Sequence, residues 1–170
     1  DPLFFVKEEN NIKTKIQTKF SYEELKDLLK KNAIMGLSWN DLQNANNAYN
    51  ALMLGNRTQV IDNIQISRIK EDGIREVFNV DARLELRRRV NGSAYTHAEF
   101  KQQKLNLDTP YYGRLFSPEE KKQLIETNEL GLVDDFVNKQ TGQIYSLWVG
   151  LDKKLNKVVS RRENEINIKK

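Results

Sequence analysis

Apolar positions recur at helical spacing in two stretches near the start of the chain, then switch to alternation. In SYEELKDLLKKN, Tyr22, Leu25, Leu28 and Leu29 form one stripe, and Ser21 followed three residues later by Glu24 has the spacing of a capping box. This predicts a helix over 21–31. Ser38, with Asp41 in the first turn, opens a second helix in which Trp39, Leu42, Tyr49, Leu52 and Met53 recur until Gly55 stops it. From Thr58 the period falls to two, through TQVIDNIQI and EVFNVDARLELRRRV. Phe78, Val80, Ala82, Leu84, Leu86 and Val90 share one strand face, and Arg83, Glu85, Arg87 and Arg89 share the other. Arg88 falls on the apolar side near the strand end and is expected to snorkel outward. The alternation from Ile12 to Phe20 predicts an edge strand or an ordered lead-in.

The Asn91-Gly92 turn sets the next strand. A two-residue turn places Leu86 opposite His97 and Leu84 opposite Glu99. A three-residue Asn91-Gly92-Ser93 loop pairs Leu86 with Ala98 and Leu84 with Phe100. The second register buries apolar against apolar and is preferred, although it sets Glu85 against Glu99. The outer face then carries Arg83, Arg87, Arg89, Tyr95, His97 and Lys101. After LNLDTPYYGRLF, the segment SPEEKKQLIETNELG offers Ser117 as N-cap, Pro118 at the first helical position and Glu120 as capping-box partner. Leu124 and Ile125 mark its expected buried side, with Gly131 just past its end. A hairpin follows, LVDDFVN and QIYSLWVGLD joined by KQTG, and short strands near KVVS and EINI finish the chain. The expected fold is α+β: an N-terminal helix pair followed by antiparallel hairpins, then a second lobe of one helix plus antiparallel strands. The expected lobes are a lead-in over 1–20, then 21–110 and 111–170. No internal repeat stands out.

Composition narrows the chemistry. Apolar residues make up 38% and charged residues 31% of 170 positions, with a formal charge of +4. That profile is polar for a globular domain but unlike disorder. The charge permits contact with phosphate without demanding it. Cysteine is absent and His97 is the one histidine, which removes disulfides, thiolate chemistry and multi-histidine metal sites. No metal or cofactor is expected. No apolar run approaches the length of a membrane helix. The absence of cysteine fits a cytoplasmic location, and the first residues, DPLFFVKEEN, read as part of a module from a longer protein.

Several motifs now stand in order: ELKDLL, LMLGNRTQV, DARLELRRRVNG, and DTPYYGRLFSPEEKKQLIETNELGLVDDFVNKQTGQIYSLWVGLDKKLNKVV. The array resembles an uncharacterised pair of adjoining domains found in proteins of Bacteroidota conjugative transposons and related mobile elements, over roughly residues 20–168. That family usually has glycine after the Thr127 position and arginine at the Leu132 position; this chain has Asn128 and Leu132 there. Asp152 and Asn156 match the family pattern. The resemblance implies a module inside larger proteins that travel with DNA-transfer genes, and it brings no established catalytic residue.

Among candidate sites, the outer basic-aromatic face has cations for phosphate and rings for stacking, as in single-strand binders; the alternative is an ordinary solvated sheet face. Asn40, Gln43, Asn44, Asn47 and Asn50 offer amides along the second helix, but that helix lacks Lys and Arg to hold a phosphate backbone. Asp134 and Asp135, consecutive in a strand, are expected to face opposite ways and share no metal. His97 and Glu99 share a strand face without a third partner. LGNRT lacks the second glycine and lysine of a phosphate loop. Arg161-Arg162 with Lys169-Lys170 read as a solvated basic tail, and Tyr111, Tyr112, Phe116, Tyr145 and Trp148 as core or inter-lobe packing. The reading reached is a non-enzymatic accessory binding module of a mobile-element protein. It docks on nucleic acid, through the outer face of the 78–101 hairpin, or on DNA-transfer machinery; the alternative is a protein-interaction or structural adaptor module in a larger polypeptide. No membrane partner and no small-molecule substrate are inferred.

Overall fold

The computed structural model describes residues 5–9, 12–15 and 18–162, with side chains from residue 18 onward. The chain is α+β: among the described residues there are four helices, two three-stranded antiparallel sheets and one two-stranded pair, and the chain divides between Phe100 and Lys101 into two compact units. Residues 101–110, placed with the first lobe on sequence, belong to the second unit. The strand expected at EINI and the Lys169-Lys170 tail lie outside the described residues.

In the first unit, β1 (Phe5–Glu9) and β2 (Ile12–Lys15) pair only with each other, so the Ile12–Phe20 alternation adds no edge to the larger sheets. Helix α1 (Tyr22–Lys30) opens with the expected capping box: the Glu24 N–H donates to Ser21 Oγ, and the Ser21 N–H donates to Glu24 Oε1. The second expected helix is two, α2 (Trp39–Asn44) and α3 (Ala48–Leu54). Asn46 and Asn47 between them have φ of 55° and 53°, a left-handed conformation that no right-handed helix contains. The apolar stripe survives the break because both pieces face the same core: Leu42 and Leu52 are fully buried, and Trp39 stacks on Tyr49 at 4.7 Å. Gly55 stops α3 at φ 76°, as the sequence predicts.

The sheet runs β3 (Ile61–Ile69), β4 (Arg75–Arg88), β5 (Ala94–Phe100), in that order. Ala82, Leu84 and Leu86 point into the core with Leu25, Leu28, Leu42 and Leu52, as their alternation predicts, whereas Val90, expected on the same face, lies past the end of β4 and is fully exposed. The β4–β5 register differs from expectation. Leu84 pairs with Ala98 and Leu86 with Thr96, two positions from the preferred pairing. The loop does have three residues, but they are Val90-Asn91-Gly92, closed by the Arg89 N–H to the Ser93 carbonyl at 2.9 Å. Such a loop needs its left-handed residue last, and Gly92 at φ 88° supplies it. Glu71-Asp72-Gly73 closes β3 onto β4 in the same way, with the Lys70 N–H donating to the Ile74 carbonyl and Gly73 at φ 81°.

In the second unit, Tyr111 and Arg114 exchange both backbone hydrogen bonds around Tyr112 and Gly113, which have φ of 48° and 79°. Helix α4 (Pro118–Thr127) follows, with Ser117, Pro118 and Glu120 in their predicted capping roles. Of its two expected core residues only Leu124 is buried; Ile125, about 100° further round the helix, is 55% exposed because the sheet covers a single line of α4. Asn128, not Gly131, ends the helix, taking φ 64° as the N–H donates to the Leu124 carbonyl. Gly131 instead sits at a register shift in β6 (Glu129–Val137). The sheet order is β6, β7 (Ile144–Asp152), β8 (Lys157–Arg162), with Val133, Phe136, Leu147, Val149, Leu151 and Val158 facing α4's Leu124 and Phe116.

Candidate functional site

The corrected register improves the electrostatics of the predicted outer face. Arg83 stands opposite Glu99, Glu85 opposite His97 and Arg87 opposite Tyr95, so the Glu85–Glu99 clash does not arise. Arg83, Arg87, Tyr95 and His97 therefore share one face, and Arg89 lies at its hairpin end. Lys101 does not join them on β5, which stops at Phe100.

The face is not an open row of cations. Glu85 and Glu99 are 6% and 7% exposed, and a carboxylate so buried is costly unless paired. Arg87 lies 2.7 Å from Glu85 Oε1, with a second contact from Nε at 2.9 Å. Arg57 Nε lies 2.6 Å from Glu99 Oε1. Arg83 Nη1 donates to the Thr58 carbonyl at 3.0 Å, and Thr58 is itself tied to Leu84: its N–H donates to the Leu84 carbonyl at 2.8 Å, and the Leu84 N–H donates to Thr58 Oγ1 at 3.0 Å. Arg89 is exposed; its guanidinium lies over the Tyr95 ring at 5.0 Å and donates to Ser93 Oγ and the Ala94 carbonyl, both at 3.2 Å.

Arg88, the middle of the arginine triplet, goes the other way. It forks onto Glu24 at 2.7 and 3.0 Å, lies 4.4 Å from the Phe20 ring centre, and donates to the Lys19 carbonyl. The Arg88 guanidinium, with the Ser21 backbone N–H, holds the Glu24 carboxyl down at about 2, well below its ordinary value. The expected snorkelling of Arg88 is thus a tether from the sheet to the start of α1. Between them, Asp27, Leu28, Lys31, Arg89 and Tyr95 line an open groove of about 490 Å³. Asp27 and Lys31 are already paired at 2.9 Å.

The second unit has a matching centre at Arg114. It forks onto Glu120 at 3.0 and 2.8 Å and reaches Asp135 Oδ1 at 2.7 Å, lying over the Phe116 and Phe136 rings at 5.9 and 5.8 Å. Arg114, then the Ser117 N–H, lowers the Glu120 carboxyl below its usual range, and the two carboxylates raise Arg114. Around it, Tyr111 packs on Phe116 and Phe136, and Tyr145 stacks on Phe136 at 5.6 Å. Tyr112 is 63% exposed. The Tyr111 hydroxyl lies 2.7 Å from Ser160 Oγ.

Other sequence candidates resolve into structure. Asp134 and Asp135 do not lie in a regularly paired stretch of strand. A bulge between Val133 and Phe136 leaves both at the surface while those two apolar neighbours stay buried. Asp152 is buried and accepts the Lys154 and Leu155 N–H groups in the β7–β8 turn, and Asn156 donates to the Gln102 carbonyl at 2.9 Å from φ 54°. Both positions matched by the resemblance therefore build a turn. Asn40, Gln43 and Asn44 are exposed on α2, whereas Asn47 sits in the helix break and Asn50 is half-buried. Sequence reasoning missed Arg57 and Arg114, since neither lies in a periodic segment. Among the described residues no group of three His, Asp or Glu side chains is placed to hold a metal, and no helix is long and apolar enough to cross a membrane. No family model, curated protein or solved structure matches the chain.

Proposed function

We propose that the chain is a non-catalytic binding module, within a mobile-element protein as its resemblance implies, that docks on a protein of the DNA-transfer machinery. The observation that carries this reading is the commitment of the outer-face cations. Arg57 and Arg87 neutralise Glu99 and Glu85, and Arg83 is bonded to the Thr58 carbonyl. Affinity for nucleic acid comes mainly from lysine and arginine that displace counterions from phosphate. A guanidinium already holding a buried carboxylate must give up that partner first. Apolar side chains, by contrast, stand at the surface on the outer side of β6 and β7, where Leu132, Val137 and Ile144 are 42%, 48% and 66% exposed. Leu132 pairs with Trp148, and Val137 with Ile144, so all four share one sheet face. Apolar area of this kind suits a protein partner.

Fluorescence anisotropy with labelled single- and double-stranded DNA tests the reading at low salt. Weak binding, unchanged by Arg89→Glu, is expected, together with cross-linking to a purified transfer protein that Ile144→Lys removes. Tight, steeply salt-dependent DNA binding that collapses in Arg89→Glu would return the function to nucleic-acid contact.

A further inference from the structure

Strand β4 has 14 residues, but β5 pairs only with Ala82–Arg88. The half from Arg75 to Asp81 is joined to β3 alone, through Ile66–Phe78, Ser67–Val77, Arg68–Glu76 and Ile69–Arg75. This two-stranded ribbon leaves Ile69, Ile74 and Val77 73%, 62% and 53% exposed. A lone two-stranded ribbon is marginal in water, and a third strand is the usual remedy.

The ribbon has a place for one. The Lys70 N–H to Ile74 carbonyl bond makes 70–74 a hydrogen-bonded pair. Antiparallel pairs alternate, so 68–76 and 66–78 are bonded too, and Gln65, Ser67 and Ile69 turn their N–H and C=O groups to the other edge of β3, where no strand pairs among the described residues. Protected edges carry proline, inward charge or bulges. Here the bulge falls lower, at Asn63 with φ 58°, and the three edge residues are uncharged. Arg68 is folded back onto its own ribbon, 2.9 Å from Glu76 and 5.4 Å from the Phe78 ring centre.

Charge selects the occupant. Residues 65–79 carry Arg68, Lys70 and Arg75 against Glu71, Asp72 and Glu76, so the ribbon is neutral and offers phosphate no net attraction. A second copy meets it without repulsion. In an antiparallel register centred on Ser67, Ser67 faces its own counterpart, Gln65 faces Ile69 and Ile66 faces Arg68, so no like charges are opposed between Gln65 and Ile69. We propose that β3 is a self-association edge: two copies of the chain pair β3 to β3 about a two-fold axis, fusing two three-stranded sheets into one of six. An isologous contact of this kind closes on itself as a dimer. The proposal does not rest on the docking partner named above.

Analytical ultracentrifugation of the chain, from low micromolar to several hundred micromolar, reads the outcome. The expected result is a mass that rises from one copy to two. Ser67→Pro removes an N–H that already points away from β4, so it blocks the intermolecular ladder and spares the hairpin. It should weaken dimerisation by about tenfold or more with unchanged circular dichroism. Ile69→Lys, which puts a charge on the edge, should do the same. A mass of one copy throughout, or a dimer that both variants leave intact, overturns the proposal.

Discussion

Both units start a helix with Ser-x-x-Glu and clamp that glutamate with an arginine laid over an aromatic ring, yet they fetch the arginine from very different places. In the first unit Arg88 reaches Glu24 across 64 residues; in the second Arg114 reaches Glu120 across six. The near arginine is delivered by the tight Tyr111–Arg114 turn, binds a second carboxylate at Asp135, and is 18% exposed. The far arginine has one carboxylate and is 40% exposed. A clamp closed over six residues costs less chain entropy than one closed over 64. The same local motif is therefore held by its own neighbourhood in one unit and by a distant strand in the other.

The largest test of this division is a core truncation in each unit. Leu42 and Leu124 are both fully buried, and Leu→Ala at either should cost about 2–5 kcal/mol. The two tryptophans, Trp39 and Trp148, fall one in each unit and report separately. In urea unfolding, Leu42→Ala should move the Trp39 transition and Leu124→Ala the Trp148 transition; equal movement of both would break the comparison. Next come the clamps themselves. Arg114→Ala leaves the part-buried Glu120 without its partner and is expected to cost about 2 kcal/mol, whereas Arg88→Ala at its more exposed site should cost about 1 kcal/mol. Equal losses would mean that exposure does not set their worth.

Acid sharpens the contrast further. The folded Glu24 carboxyl is lowered to about 2, so its stabilisation is fully present above the unfolded value of 4.5 and is lost as pH falls toward 2. In Arg88→Ala the melting temperature should fall less steeply between those limits than in the parent chain; an unchanged slope would assign the acid sensitivity elsewhere. The smallest effect belongs to the end of α4. Asn128→Gly should change stability by only a few tenths of a kcal/mol, since glycine accepts the left-handed φ, and Asn128→Ala should cost about 1 kcal/mol. Calorimetry of the two variants distinguishes this from a side-chain role for the amide.

The local and periodic features were open to reading in the sequence. Capping boxes at Ser21, Ser38 and Ser117, the stop at Gly55 and the two faces of β4 all follow from neighbours within a few positions. What escaped was set by backbone handedness or by distance. The helix break at Asn46–Asn47, the loop frame at Val90-Asn91-Gly92 and the bulge at Asp134–Asp135 each depend on which residue turns left-handed or drops out of the ladder, and residue type alone does not decide that. On the candidate face, side-chain parity was legible. The burial of Glu85 and Glu99 was not, because Arg57, the partner of Glu99, comes from a segment 42 residues away.

The break at Asn46–Asn47 also changes what the abundance of asparagine signifies. Among the described residues, six of the eight non-glycine residues with positive φ are asparagine: 32, 46, 47, 63, 128 and 156. Asparagine tolerates that region at less steric penalty than other side chains, and it leaves the unfolded chain less freedom than glycine would. Asparagine at those positions steers the main chain, and at Asn46 and Asn156 the amide also fastens the corner to Gln59 and Gln102, so glycine there would keep the backbone conformation while making the molecule easier to melt.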